Sequence, residues 1–237
     1  MVEGWKKAFH GDPEVRVEND FYPTPPVATF ALVQNAYVPP LVWEPAAGKG
    51  HISAELIRSG RTVYSSDLYE YPDPIVEHIH TGINFLNVLD DQLGGFRNEA
   101  FGIITNPPYK EDLAQRFVEH ALTLTNYVAV MCRLTFMESH KRQALFTENP
   151  PSEVLIIKRV HCNEEHSKKS QIGGMVPYAW YVWDYQSKLK ATETKLRWID
   201  MVQTMADLKE ESNRRTYSSG RSLEGTSQSY FQIRPIS

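Results

Sequence analysis

The sequence predicts a doubly wound α/β fold with a mostly parallel, seven-stranded sheet, and three observations lead to it. Short apolar segments of strand length alternate along the chain with segments whose apolar residues recur at helical spacing. Clusters rich in Gly and Pro separate these segments. Strands that alternate with helices are joined by crossover connections, which make neighbouring strands parallel and cover both faces of the sheet. The 237 residues suffice for one domain with a full core.

The first half of the chain is predicted to form two pairs of a helix and a strand, followed by a loop. Proline begins the first helix, glycine ends the second, and the Pro and Gly residues further on break any regular period. The predicted elements are a helix over residues 26–37, a strand over 41–43, a helix over 51–59, a strand over 62–66 and a mostly irregular segment over 68–95.

The second half continues the alternation and then departs from it. Strands are predicted over residues 101–105, 127–132, 154–158, 180–183 and 195–199, with helices over 113–122 and 138–146. About ten residues separate the last two strands, too few for a helical crossover. We therefore expect these two strands to pair as an antiparallel hairpin at one edge of the sheet.

The domain organisation follows from these elements. Residues 1–200 are predicted to form a single catalytic domain, with residues 160–177 as a long polar insertion. Loops of this length usually carry function or lack fixed structure. Residues 201–237 are predicted to be a polar C-terminal extension that contains at most a short helix.

Composition excludes several classes of protein. Cys132 and Cys162 cannot form a disulfide framework, and no apolar segment approaches the roughly 20 residues of a membrane span. The N-terminus lacks a secretory signal, so a cytoplasmic location is expected. His161, Cys162 and His166 lack a second pair of ligands, so no metal site is predicted.

Charge is distributed unevenly along the chain. The net charge is −4, but residues 1–120 hold 9 Lys and Arg against 17 Asp and Glu, whereas residues 121–237 hold 16 against 12. The basic half is suited to a polyanion, and a solvated surface explains the difference equally well.

The segment Asn106-Pro107-Pro108-Tyr109 follows the predicted strand 101–105 directly. Two prolines make a rigid loop that presents carbonyl groups without competing N–H donors. Asn106 adds a side-chain carbonyl, and Tyr109 adds a flat face with a polar tip. Because ligands bind at the carboxyl ends of strands in open α/β sheets, this segment predicts a site for a planar ring that bears an amino group.

A second candidate site follows the first predicted strand. Gly48 and Gly50 lie at the start of a helix, where backbone approaches a nucleotide-type ligand closely, and Asp67 at the end of the second strand is placed to bind ribose hydroxyls. The spacing does not match a phosphate-binding P-loop. The loop by itself is also compatible with a nicotinamide dinucleotide as the cofactor.

Taken together, these motifs resemble S-adenosylmethionine-dependent amino-methyltransferases. Phe21-Tyr22-Pro23-Thr24-Pro25-Pro26 resembles the methionine-contacting motif of adenine-N6 DNA methyltransferases, and Tyr178 to Asp184 resembles a strand of phage and prophage members. The resemblance covers roughly residues 18–200 and implies a Rossmann-like methyltransferase fold with S-adenosylmethionine as cofactor. It implies cofactor contacts from Phe21, Tyr22, Thr24, Glu44, Ala46, Gly48, Gly50, Asp67, Asn84 and Phe85.

One position departs from the family pattern. Asn84 precedes Phe85 where related enzymes often carry Asp-Phe at the cofactor's adenine. An Asn carbonyl still accepts a hydrogen bond from an exocyclic amine, so weaker cofactor binding is expected. Core packing explains Phe85 equally well.

The resemblance implies methyl transfer to the N6 amine of adenine in DNA. Asn106 Oδ1 and the Pro107 carbonyl accept hydrogen bonds from that amine, Pro108 stiffens the loop, and Tyr109 stacks on a base flipped out of the duplex. Alternatives are an RNA base, a protein glutamine, or a non-catalytic nucleic-acid-binding protein with the same fold. The expected phosphate contacts are Lys158, Arg159, Lys168 and Lys169, which lie in and beside the polar insertion. We interpret this insertion as the target-recognition element. The alternative is an ordinary solvated loop.

Overall fold

The computed structural model describes residues 22–98, 100–160, 162, 172–186 and 191–218. Three of the α-helices match predicted segments, whereas the predicted helix over 138–146 contains one 3₁₀ turn, His140–Arg142, followed by a shorter α-helix. The α-helices are α1 (Pro26–Asn35), α2 (His51–Arg58), α3 (Leu113–Leu124), α4 (Gln143–Glu148) and α5 (Met201–Ser218).

The strands of the described residues form one sheet in the order β2-β1-β3-β4-β6-β5-β7. Every neighbouring pair is parallel except the two that involve β6, which runs antiparallel to both β4 and β5. The predicted fold class is therefore confirmed. The strands are β1 (Leu41–Glu44), β2 (Thr62–Ser65), β3 (Phe101–Thr105), β4 (Tyr127–Arg133), β5 (Glu153–Val160), β6 (Ile172–Asp184) and β7 (Lys195–Trp198).

The prediction that β7 pairs with the strand before it in sequence was wrong. β7 runs opposite to β6, as expected, but it pairs in parallel with β5, with Glu153 opposite Lys195. The reason is that β4 and β5 occupy both edges of β6, so the next strand can add only at the free edge of β5. The antiparallel hairpin is formed by β5 and β6 instead.

Two other predicted boundaries also differ from the structure. The polar insertion was expected over residues 160–177, but β5 continues to Val160 and β6 begins at Ile172, so the connection spans residues 161–171. Beyond Asp200, where a short helix was expected, α5 runs for 18 residues and buries Met201 and Leu208. Residues 219–237 lie outside the described part of the chain.

The core consists of two layers, one on each face of the sheet. Neighbouring residues of a strand point to opposite faces of the sheet. Val42 therefore belongs to the core layer formed with α1, α2 and α5, whereas Trp43 belongs to the layer formed with α3 and the 3₁₀ helices between β2 and β3. Both side chains are fully buried. Helices on both faces hold the sheet rigid and leave the carboxyl ends of β1 and β3 at one open edge.

Among the described residues, the helices are too short or too polar for any of them to cross a lipid bilayer.

Candidate functional site

A cleft of about 560 Å³ opens at the carboxyl ends of β1 and β3. The chain leaves β1 toward β2 on one side and later adds β3 on the other, which makes this the point where strand order reverses. Open α/β sheets bind ligands at such points. The predicted site residues that line the cleft are Tyr22, Thr24, Glu44, Ala46, Gly48, Asp67, Asn84, Phe85, Asn106 and Pro108.

The glycine loop after β1 leads directly into α2, at the helix start that the sequence predicts. Gly48 and Gly50 have φ values of 55° and 87°, in the left-handed region that favours glycine, and Gly50 is the N-cap of α2. A Cβ atom on Gly50 would lie 2.4 Å from Val76 Cγ2. The loop is fixed from outside as well, because the Ile75 N–H donates to the Lys49 carbonyl at 2.9 Å.

Glu44 lies under this loop and anchors it. Its Oε2 accepts the Ser53 backbone N–H at 2.8 Å and also the Ser53 hydroxyl, whose oxygen lies 2.6 Å from Ser65 Oγ. Glu44 is 1% exposed, and this burial raises its pKa to about 8 although the two Ser53 hydrogen bonds oppose the shift. At neutral pH Glu44 is therefore mostly protonated and uncharged.

The raised pKa of Glu44 predicts a stability that falls with pH. A carboxyl group whose pKa is higher in the folded than in the unfolded state contributes stability that is complete below its ordinary pKa of about 4.5 and lost as the pH rises through about 8. We expect the melting temperature of wild-type protein to fall more steeply between pH 5 and pH 8 than that of Glu44→Gln. Thermal melts across this range check it, with the exposed Glu70→Gln as control; equal slopes for wild type and Glu44→Gln would refute it.

Asp67 connects the loops that follow β1 and β2. Its Oδ2 accepts the Gly48 N–H at 2.8 Å, and its Oδ1 accepts the Tyr69 N–H at 2.9 Å. Burial raises its pKa, and hydrogen bonds from backbone amides limit the shift. Each carboxylate oxygen has a second lone pair, so Asp67 can also accept hydrogen bonds from a ligand in the cleft.

Asn84 and Phe85 open a 3₁₀ helix, Phe85–Asn87, at the far end of the cleft. Asn84 Oδ1 accepts the Leu86 N–H at 3.2 Å, and the side chain remains exposed. The Phe85 ring is 2% exposed, and its centroid lies 5.1 Å from that of Trp43 and 4.8 Å from that of Phe117. Phe85 therefore belongs mainly to the core and fixes the position of Asn84.

Asn106 follows β3 and is held by contacts with the segment before α1. Its Nδ2 donates to the Tyr22 carbonyl and to Thr24 Oγ1, at 3.1 Å in both cases. Both amide hydrogens thus have acceptors. Oδ1 is the remaining polar atom of the side chain.

Tyr109 is not among the residues that line the cleft. Its hydroxyl donates to Asn106 Oδ1 at 2.5 Å and lies 3.2 Å from the Met131 carbonyl oxygen. The ring packs against core residues of both faces, and the Arg133 guanidinium lies 5.7 Å from its centroid. Burial raises the Tyr109 pKa well above its ordinary value, so the phenol is a proton donor. Pro107 is buried, while Pro108 reaches the cleft.

The predicted nucleic-acid contacts are only partly described. Lys158 and Arg159 lie near the carboxyl end of β5, at the same edge of the sheet as the cleft, because β5 runs parallel to β1, β3 and β4. Phe21, Lys168 and Lys169 lie outside the described residues.

Sequence reasoning missed several residues that line the cleft. Leu68, Tyr69 and Tyr71 lie within four residues of Asp67 and line the cleft, as do Lys110 and Arg116. The sequence signal for the first three is the cluster of apolar and aromatic residues shortly after the predicted strand over 62–66. Lys110 directly follows the Asn106 to Tyr109 segment.

Comparison with solved structures shows the fold. A protein from Listeria monocytogenes assigned to the class I S-adenosylmethionine-dependent methyltransferases superposes with a TM-score of 0.51 and 12% identity, over 84% of this chain and 74% of that protein. This similarity shows that the chain has the fold of that protein.

Two further solved structures are similar at lower scores. A modification subunit assigned to a type I restriction enzyme of Vibrio vulnificus has a TM-score of 0.49 and 14% identity, over 90% of this chain and 58% of that one. The 23S rRNA methyltransferase ErmE has a TM-score of 0.44 and 16% identity, over 82% and 78%. No protein-family model and no curated protein matches the sequence.

Proposed function

We propose that this chain transfers a methyl group from S-adenosylmethionine to the N6 amine of adenine in DNA. The observation that carries the proposal is the side chain of Asn106 at the cleft, with both amide hydrogens accepted by protein oxygens and Oδ1 directed away from them. A fixed carbonyl acceptor beside a nucleotide-type cleft is suited to an exocyclic amine.

The cleft fits S-adenosylmethionine in size and in chemistry. A volume of about 560 Å³ lies within the range of small-molecule sites, and the walls are mostly apolar with a few polar groups. Asp67 offers carboxylate oxygens for the ribose hydroxyls, and the left-handed Gly48, which lines the cleft, allows close approach of the backbone. Gly50 does not line the cleft, and its missing side chain makes room for Val76. Tyr69 and Leu68 offer apolar contacts for the adenine ring.

The proposed role of the chain is to bind and orient the target amine. S-adenosylmethionine supplies, when bound, a methyl group attached to a positively charged sulfur. The amine nitrogen forms the new bond to carbon, the electrons of the broken S–C bond return to sulfur, and the nitrogen then releases one proton to solvent. Two acceptors, Asn106 Oδ1 and the Pro107 carbonyl, favour the reactive geometry by holding the amine hydrogens, and positioning of this kind lowers barriers by up to about 7–11 kcal/mol.

Tyr109 donates to the acceptor that is proposed for the target amine. Its hydroxyl takes one of the two lone pairs of Asn106 Oδ1. The proposal is that an N–H of the target replaces the Tyr109 O–H, after which the ring stacks on the base. The hydroxyl is therefore a competitor of the substrate, whereas the ring contributes to binding.

This exchange predicts opposite effects for two substitutions of Tyr109. We expect Tyr109→Phe to lower the KM for unmethylated DNA by about 2–10-fold, because a competing hydrogen bond contributes about 0.5–1.5 kcal/mol. We expect Tyr109→Ala to raise that KM by about 5–100-fold, because stacking on a base contributes about 1–3 kcal/mol. Steady-state kinetics at saturating cofactor measures both. A tenfold rise of KM in Tyr109→Phe would show that the hydroxyl binds the target directly.

The choice of a nucleic acid rests on the placement of cations at the same edge of the sheet. Lys110 and Arg116 line the cleft. Lys158 and Arg159 lie near the carboxyl end of β5, a strand three positions from β3 and about 14 Å away at ordinary strand spacing. Cations at this spacing suit the phosphates on either side of a flipped nucleotide. The connection that contains Lys168 and Lys169 leaves the sheet at this edge and is proposed as the target-recognition element.

The proposal is tested by incubating the protein with S-adenosylmethionine labelled in its methyl group and with DNA, RNA or protein acceptors. Transfer to unmethylated DNA, lost in Asn106→Ala, is the expected result. Transfer to RNA or to protein would reassign the substrate. Binding of DNA without transfer to any acceptor would identify a non-catalytic binding protein.

A further inference from the structure

Thr24 contacts the side chain of Asn106 although 82 residues separate the two positions. The Thr24 oxygen lies 3.1 Å from Asn106 Nδ2, and Thr24 is only 3% exposed. The sequence resemblance implies that Thr24 contacts the methionine end of the cofactor. The structure gives its hydroxyl a partner within the protein.

The neighbouring carbonyl group decides which way the Asn106 amide faces. The Tyr22 carbonyl oxygen can only accept a hydrogen bond, so it requires an N–H of Asn106 at its 3.1 Å distance. A rotation by 180° would place Oδ1 against the Tyr22 oxygen, two acceptors with no hydrogen between them. Tyr22 and Thr24 together take both amide hydrogens and leave Oδ1 on the side of the Tyr109 hydroxyl.

Thr24 is itself held in place by the rigid start of α1. Pro25 is the N-cap of this helix, and its carbonyl accepts the Ala28 N–H at 2.9 Å. The Ala28 carbonyl in turn accepts the indole N–H of Trp180 on β6 at 2.8 Å. Ala28 and Trp180 are both fully buried, so Thr24 is attached to the core of the domain rather than to a mobile loop.

We propose that Thr24 is a positioning residue, which holds the Asn106 carboxamide so that Oδ1 stays directed at the target amine. The inference rests on the proposed role of Asn106 and extends it by one residue. Thr24 touches no reacting atom in this account. Its hydroxyl accepts the second amide hydrogen of Asn106, while the Tyr22 carbonyl excludes the rotated amide. The two contacts together hold the Asn106 side chain in a single orientation.

The experiment compares three threonine variants. Thr24→Val keeps the shape of the side chain and removes the acceptor, which leaves one partly buried Asn106 N–H without its partner. Thr24→Ser keeps the hydroxyl. Thr29→Val is the matched control, since Thr29 is also fully buried in this region and its hydroxyl has no hydrogen-bond partner in the described residues.

We expect Thr24→Val to lower kcat for methyl transfer by about 10-fold or more, with the Kd for S-adenosylmethionine within about twofold of wild type. Thr24→Ser should keep kcat within about threefold of wild type, and Thr29→Val should leave it unchanged. A rise in the cofactor Kd of Thr24→Val with kcat unchanged at saturation would assign Thr24 to the cofactor and overturn the proposal. An unchanged kcat together with an unchanged Kd would overturn it too.

A second measurement tests the contact without any activity. In ¹H–¹⁵N NMR spectra, the two side-chain amide protons of Asn106 should shift in Thr24→Val and remain in place in Thr29→Val. Unshifted signals in Thr24→Val would refute the contact. If wild-type protein methylates no acceptor, the proposed function fails, while these spectra still decide the position of Thr24. If Thr24→Val does not fold, a Thr24→Ser variant with less than one tenth of wild-type kcat would contradict the proposal.

Discussion

Replacing Asn106 by Ala is expected to lower methyl transfer by about 100-fold or more while S-adenosylmethionine still binds. The substitution removes Oδ1, the acceptor proposed to hold the target amine, and it leaves Asp67 and the glycine loop intact. Because Oδ1 acts on the orientation of the amine, the loss should appear in kcat. Single-turnover transfer to unmethylated DNA and calorimetric titration with the cofactor measure the two quantities separately.

The matched control for this prediction is Asn126→Ala. Asn126 is exposed and does not line the cleft, so its replacement should leave transfer within about twofold of wild type. Asn106→Ala protein must also keep a melting temperature close to that of wild type, since it loses the contacts to Tyr22 and Thr24. Near-normal turnover in folded Asn106→Ala would remove the proposed mechanism.

Replacing Asp67 by Ala is expected to weaken cofactor binding by about 10–100-fold. The carboxylate accepts the backbone N–H groups of Gly48 and Tyr69, and it is the acceptor proposed for the ribose hydroxyls. Hydrogen bonds to a charged group contribute about 1.5–3 kcal/mol each, and removal of the acceptor leaves a buried N–H without a partner. Titration with S-adenosylmethionine measures the Kd.

Asp67→Asn separates the contribution of the carboxylate charge from that of the hydrogen-bond acceptor. It keeps one carbonyl oxygen and removes the charge, so its Kd should lie between those of wild type and Asp67→Ala. Glu70→Ala is the control, because Glu70 is exposed and belongs to the same loop. An unchanged Kd in Asp67→Ala would show that the cofactor, if it binds, binds without this carboxylate.

Local pattern was sufficient to predict most elements of the fold. The strand over residues 101–105 has the bounds of β3, because a run of five apolar or small residues is limited by a charged segment on one side and by Asn106-Pro107 on the other. The helical spacing of Ala114, Phe117, Val118 and Ala121 predicted the face of α3 that is buried. These signals are carried by side-chain period and by proline, which act within a few residues.

Strand pairing was not predictable from the same signals. The short connection between β6 and β7 correctly indicated a reversal of direction, but it did not reveal that β6 is enclosed by β4 and β5. Which edge is free depends on contacts between distant segments. The length of α5 escaped prediction for a similar reason, since Met201, Thr204 and Leu208 are buried by packing against distant segments, among them α1.

The site was predicted as a set of positions rather than as an arrangement of atoms. The strand ends indicated that Gly48, Asp67 and Asn106 lie together, and all three line the cleft. The direction of the Tyr109 hydroxyl, toward Asn106 and the Met131 carbonyl, depends on how the ring packs between the two core layers. A hydrogen bond across 82 residues, such as that from Asn106 to Thr24, has no signal in local sequence.

The most direct measurement identifies the atom that is methylated. Unmethylated DNA is incubated with the protein and with S-adenosylmethionine labelled in its methyl group, digested to nucleosides and separated by mass spectrometry. Label is expected in N6-methyldeoxyadenosine, and it should be lost in Asn106→Ala. Label on a ring carbon of cytosine, or no label at all from protein that binds both cofactor and DNA, would contradict it.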